Sequence, residues 1–253
     1  FDVAYVLPNS LKSALVPWLA GIAQRVGYHG EGRWGLINDR LPNPPAHERP
    51  LMTLHYTALA RLTAAPLLQP RLACDAQLAA GARAKFALPE RFVALAPGAE
   101  YGPAKQWPAA HFRRVAEFAV EASYDVALLG GKNDTAVGDE IAQGHARVHN
   151  LCGRTALSDA IALLAAADGV LSNDSGLMHI GAALGRPTLG IYGSTDPQHT
   201  PPAAHRSATL WLGPERGVDC SPCFERVCPL GHTRCLHQIT PETAWRTLTG
   251  LMA

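Results

Sequence analysis

The chain has 253 residues, a net charge of +1, 47% hydrophobic residues and only 17% charged ones. That balance excludes a disordered segment, and the near-neutral charge removes the bulk field on which nucleic-acid binding depends, so no nucleic-acid partner is expected. The length allows one large domain or two of modest size, and the nearest approach to a membrane span, Ala160 to Leu171, is interrupted by Asp168.

The opening stretch, Phe1 to Pro8, reads as an interior strand and not as a signal peptide. A start on Phe1 instead of Met leads us to expect that the natural chain begins upstream. Val3 to Leu7 forms the strand, and Ser10 to Gln24, rich in Leu and Ala, a helix. A glycine-punctuated loop follows, with Gly27, Gly30, Gly32 and Gly35 set among Tyr28, His29, Arg33 and Trp34. Pro42, Pro44, Pro45 and Pro50 mark an irregular connection, Leu51 to Ala65 reads as helix, and Pro66 to about Arg91 as a boundary.

Beyond the boundary a βαβ rhythm sets in. Strands are predicted at Phe92–Ala96, Asp125–Leu129, Gly169–Ser172, Thr188–Tyr192 and Thr209–Leu212. Helices are predicted at Pro108–Ala122, Asp134–Gln143, Leu157–Ala167, Ser175–Leu184 and Pro241–Met252. Continuous apolar strands separated by helices require a parallel sheet covered on both faces. The expected class is α/β.

Four polar turns fall at the carboxyl ends of strands, where open α/β sheets bind ligands. They are Ala96-Pro-Gly98-Ala99-Glu100, Gly130-Gly-Lys-Asn-Asp134, Asn173-Asp174-Ser175-Gly176 and Gly193-Ser-Thr-Asp196. The third is the most informative. It sets free backbone N–H groups, a carboxylate and a hydroxyl at a helix N-terminus, an environment suited to phosphate. His179 follows Ser175 by four residues and shares its helix face. Any one of these turns is also explained by helix capping, and a solvated lysine or a core histidine is an ordinary thing. Four on one edge, joined by Lys105 and His179, favour a nucleotide-type site.

The same residues carry a resemblance. Ala96-Pro-Gly-Ala-Glu-Tyr-Gly-Pro-Ala-Lys105-Gln-Trp107-Pro108, the Asn173-to-His179 turn and Tyr192-Gly193 with Thr200-Pro-Pro202 resemble bacterial lipopolysaccharide heptosyltransferases, glycosyltransferase family 9. So do the upstream Tyr5-to-Leu15 stretch, with Asn9 and Lys12, and Gly30-Glu-Gly-Arg33-Trp-Gly-Leu-Ile-Asn38-Asp39. The likeness runs in order along nearly the whole chain. It implies a GT-B fold: two Rossmann-like domains with mostly parallel sheets facing a cleft, the N-terminal one incomplete here. Residues 1–75 would then be the later part of the acceptor-side domain, and 76–253 the ADP-heptose-binding domain with its closing helix.

The resemblance further implies inverting transfer of heptose from ADP-heptose to the inner-core heptose of lipopolysaccharide, with heptosyl-Kdo-lipid A as acceptor. It implies a cytoplasmic protein touching the inner-membrane leaflet peripherally, and no required cofactor. Lys105 would stabilise charge on the donor phosphates. Gly98, Ala99, Asp134, Asp174, Ser175, Gly176 and His179 would bind the donor, and Asn9, Lys12 and Arg33 would face the acceptor. The family's catalytic base is an aspartate in a loop after its first strand, upstream of where this sequence starts, and neither Asp2 nor Asp39 has its context; the full-length protein is therefore expected to be the enzyme, and turnover by this chain itself stays open.

Cys220, Cys223, Cys228 and Cys235 lie in one short stretch, opened by a C-x2-C spacing. Four thiolates would suit structural zinc, while reduced thiols or a single disulfide explain the same residues. Two other classes also remain: a different GT-B nucleotide-sugar enzyme, and a non-catalytic nucleotide-sugar-binding or metal-binding fragment.

Overall fold

The computed structural model describes residues 1–45, 48–61 and 69–253. The chain divides into two compact units, Phe1–Leu68 with Gln198–Thr200, and Gln69–Pro197 with Pro201–Ala253. The sequence places the division after residue 75, but Leu72 N–H donates to Ala183 O at 2.8 Å, which ties that connector to the second unit. The Gln198–Thr200 excursion belongs to the first unit because Met52 N–H donates to His199 O at 2.9 Å.

In unit 1, strands β1 (Val3–Val6), β2 (Gln24–Tyr28) and β3 (Asp39–Leu41) pair in parallel in that order. Helix α1 (Leu11–Leu19) opens with a cap in which Ser10 Oγ accepts from Ser13 N–H at 3.3 Å. It stops well short of Gln24, the expected end, because Gly21 turns the chain at φ +67°, a conformation a helix cannot continue through. Gln24 to Tyr28 is therefore strand where helix and loop were expected, and it buries Val26 and Tyr28 against Leu59. Helix α2 (Met52–Thr57) passes into a 3₁₀ turn at Ala58–Ala60. Residues 62–65 of the helix predicted there, and Pro66 to Leu68 of the predicted boundary, lie outside the described residues.

Unit 2 holds a six-stranded sheet of β4 (Phe92–Ala96), β5 (Asp125–Leu128), β6 (Val148–Asn150), β7 (Gly169–Asn173), β8 (Thr188–Tyr192) and β9 (Ser207–Trp211). Every pairing is parallel, in the order β6-β5-β4-β7-β8-β9. Alternate residues serve opposite faces. Val93, Leu95, Val126, Leu128 and Leu171 enter one core, and Phe92, Ala94, Ala127, Leu129 and Val170 the other. The first core is closed by α4 (Ala109–Glu121), α5 (Thr135–Ala142), α8 (Arg234–His237) and α9 (Pro241–Met252). The second is closed by α3 (Ala76–Lys85), α6 (Leu157–Ala166) and α7 (Gly176–Ala183). Such a doubly wound sheet reverses strand order between β4 and β7, and the crevice at that switch point is where ligands bind. Helix α3 falls in the stretch read as boundary. Asp75 Oδ1 accepts from Gln77 N–H at 2.7 Å and starts it among prolines that had argued for a linker.

Candidate functional site

Three loops come together at the carboxyl edge of β4, β7 and β8. The first carries Lys105, in the 3₁₀ turn Pro103–Lys105; the second carries Asp174, directly after β7; the third carries Thr195, after β8. Lys105 Nζ donates to Asp174 Oδ2 at 2.6 Å, and Thr195 Oγ1 donates to the same oxygen at 2.7 Å. The Lys105 and Asp174 side chains are 14% and 6% exposed, so water screens the pair little. The ring of Tyr101 lies 4.9 Å from the ammonium.

Asn173 fixes the first loop at both ends. Its Nδ2 donates to Pro97 O at 2.7 Å, and its Oδ1 accepts from Trp107 N–H at 3.0 Å. On the β8 side, Ser194 N–H donates to Ala104 O at 3.2 Å. A Cβ on Gly193 would lie 2.5 Å from that carbonyl, so only glycine lets the two loops approach so closely. Trp107 and Met178 are packing residues: both are buried, and Trp107 Nε1 donates to Ile239 O at 3.0 Å.

Beside this pair an open groove of about 320 Å³ is lined by Gly98, Ala99, Gly130, Asp134, Ser175 and Gly176, among others. Asp134 Oδ2 accepts from Gly131 N–H at 2.8 Å, and a Cβ on Gly98 would collide with that carboxylate. Asp134 thus orders its turn and faces the groove together. Ser175 Oγ lies 3.0 Å from Ser172 Oγ at the start of α7. His179 stands one turn further on and keeps solvent contact. Crowding by protein lowers its pKa; Asp174 opposes that shift and Lys105 adds to it. The imidazole is therefore neutral near pH 7 and can both donate and accept.

The structure thus gathers Gly98, Ala99, Asp134, Ser175 and Gly176 in one groove, with Lys105 and Asp174 as a pair on the same sheet edge and His179 within their field. The arrangement offers one shielded cation, helix-terminal N–H groups and a glycine floor, a set suited to a diphosphate. Thr195 and Asn173 stand in two of the four polar turns, and their roles are invisible in the sequence because their partners, Asp174 for Thr195 and Pro97 and Trp107 for Asn173, follow other strands of the sheet.

In unit 1, Lys12 is exposed on the first turn of α1, and Asn9 borders a hollow of about 440 Å³ with Asn43, His55, Tyr56 and His199. Arg33 is not the surface cation that an acceptor contact requires. It is 2% exposed and donates from Nη1 to Pro8 O at 2.7 Å, from Nη2 to Asn9 Oδ1 at 3.1 Å, and to Tyr28 O. Burial lowers its pKa, and the side chain serves to hold its loop. Asp39 is also committed, accepting from Gln24 Nε2 at 3.1 Å and pairing with Arg61 at 2.5 Å.

Cys220, Cys223, Cys228 and Cys235 line one cavity of about 20 Å³ with Ser194 and His232, and all are free thiols. Among the described residues no three His, Cys, Asp or Glu side chains are arranged to hold a metal ion. No helix among the described residues is long and apolar enough to cross a membrane.

Sheet order, switch point and groove define the class: a doubly wound α/β protein whose ligand edge is built as in nucleotide-binding folds. Comparison with known proteins narrows this. The family described as Glycosyltransferase family 9 (heptosyltransferase) matches residues 1–234. Lipopolysaccharide heptosyltransferase 2 of Escherichia coli (strain K12) is 42% identical over 229 residues, 84% of this chain and 65% of that relative. Lipooligosaccharide heptosyltransferase 2 of Haemophilus influenzae is 38% identical over 271 residues, 100% of this chain and 77% of the relative. The solved structure of E. coli ADP-heptose lps heptosyltransferase II aligns at TM-score 0.85 and 37% identity, over 100% of this chain and 76% of that one. A family 9 glycosyl transferase from Veillonella parvula shares the fold at TM-score 0.78 and 16% identity. The chain belongs to glycosyltransferase family 9, the heptosyltransferases, and its fold class is GT-B.

Proposed function

We propose that this protein transfers heptose from ADP-heptose to the inner-core heptose of a lipopolysaccharide precursor, working in the cytoplasm and peripherally at the inner membrane. The observation that carries the reading is the shielded Lys105–Asp174 pair beside the glycine-lined groove of a family 9 chain. In this reading the ADP moiety lies along Gly98, Ala99, Ser175 and Gly176, with Asp134 toward the ribose. Lys105 meets the diphosphate, and His179 offers a hydrogen bond to a phosphate or a sugar hydroxyl.

The acceptor hydroxyl attacks the anomeric carbon, inverting it, and gives its proton to a carboxylate base, the part an aspartate near the N-terminus plays in this family. The bond from that carbon to the diphosphate oxygen breaks, and its electron pair leaves with ADP. Negative charge grows on the leaving oxygen, and an ammonium already held in a shielded site stabilises it without reorganisation. That chemistry calls on a fixed cation and on no redox or electrophilic cofactor. The acceptor, heptosyl-Kdo-lipid A, meets unit 1, where Lys12 and the polar hollow at Asn9 suit its phosphates and hydroxyls.

The test is transfer itself, with labelled ADP-heptose and heptosyl-Kdo-lipid A. Label entering the acceptor with matching release of ADP is expected. Donor binding without incorporation would overturn transfer by this chain while leaving the donor half standing, and incorporation from UDP-glucose at an equal rate would overturn the donor half.

A further inference from the structure

We propose that Thr195 is a positioning residue that sets Lys105 for the donor diphosphate by acting through Asp174, an inference that rests on the donor-site reading above. Three loops from three adjacent strands, β4, β7 and β8, converge on one oxygen, Asp174 Oδ2. An ammonium carries three N–H donors, and the bond to Asp174 uses one of them. The lysine can serve a diphosphate only while the other two stay free and the side chain keeps its direction.

A carboxylate bonded to Lys105 alone is free to rotate and follow the ammonium. The Thr195 hydroxyl, 2.7 Å from the shared oxygen, removes that freedom and takes up part of the negative charge that would otherwise hold the lysine back. The hydroxyl is itself well anchored. The residue before it, Ser194, is pinned from two sides, by its N–H to Ala104 O at 3.2 Å and by Phe224 N–H to its own carbonyl at 2.7 Å. Ala104 is the immediate neighbour of Lys105. One short segment of backbone therefore fixes both the lysine and the hydroxyl that sets its carboxylate, which is how a preorganised cation is built. Asp174 is 6% exposed, so water cannot take the place of a missing hydroxyl there.

The experiment is calorimetric titration of ADP into the full chain and its variants. Thr195→Val keeps the volume and loses the hydroxyl; it is expected to weaken ADP about five-fold, while Thr195→Ser stays within about two-fold of the parent. In a Lys105→Ala background, Thr195→Val is expected to cost nothing further, which a merely structural role would not produce. Parent affinity for Thr195→Val overturns the proposal, as does an undiminished loss in the Lys105→Ala background. If Thr195→Val does not fold, Thr195→Ala against Thr195→Ser reads the same hydroxyl. Absence of ADP binding by the parent chain, or no effect of Lys105→Ala alone, overturns the donor-site reading instead.

Discussion

The cysteines show how far single residues in one chain can diverge. Burial pushes the Cys152 thiol up to about 12 and the Cys235 thiol up to about 11, with Asp134 and Asp139 adding to the first and Cys220, Cys223 and Cys228 to the second. Cys228 goes the other way: the N–H of Thr233, then those of Leu230, His232 and Gly231, point at its sulfur and outweigh its partial burial. The thiolate is the nucleophile, so iodoacetamide near neutral pH is expected to modify Cys228 well before Cys152 or Cys235, as read by peptide mass spectrometry. Equal labelling of Cys152 and Cys228 would contradict these environments. None of this is visible in the spacing of the cysteines. C-x2-C tells which thiols are neighbours along the chain, and only the backbone tells which sulfur receives N–H groups. Thr195 has the same history: a Gly-Ser-Thr-Asp turn looks like helix capping until Asp174 is brought to it across the β7–β8 pair.

At the scale of elements, β6 is held by charge as well as by pairing. Asp125, at the start of β5, accepts from Arg147 Nε at 2.8 Å and lies 2.8 Å from His149 Nε2. Burial alone would raise the Asp125 pKa, but the hydrogen bonds from His149 and Arg147 prevail and lower it. A depressed carboxylate contributes stability above its unfolded value of about 4, and that contribution is lost as pH falls through the lower folded value. Asp125→Asn is therefore expected to cost about 1 kcal/mol near pH 7, a cost that shrinks below about pH 4, measured by urea unfolding at both pH values. An equal cost at both would refute the pairing. The strand itself escaped the sequence because Val148–Asn150 offers a single apolar residue, too little for a periodicity. Long elements such as β4, β7 and α4 were legible because burial on both faces, or on one helical stripe, writes a long pattern. β2 was lost to a neighbouring helix whose end depends on the turn at Gly21.

For the whole molecule, the α/β class and the shared edge of the four polar turns are legible in the sequence, because four polar turns after four strands can share an edge only in a parallel sheet. The strand order is not, since sequence does not reveal that the chain returns to β4 before laying down β7, and that reversal creates the crevice beside Lys105 and Asp174. The inward turn of Arg33 is hidden for a related reason: a glycine-rich loop looks exposed, whereas its arginine donates to three acceptors within the fold. The proposed function requires unit 2 to bind ADP-heptose through Lys105. Calorimetric titration of ADP-heptose into the full chain and into Lys105→Ala, with UDP-glucose as control, tests it most directly. The expected result is ADP-heptose binding weakened at least ten-fold by the substitution, about 1.4 kcal/mol or more, and no binding of UDP-glucose. A folded chain that binds neither ligand, or binds ADP-heptose equally well without Lys105, would contradict it.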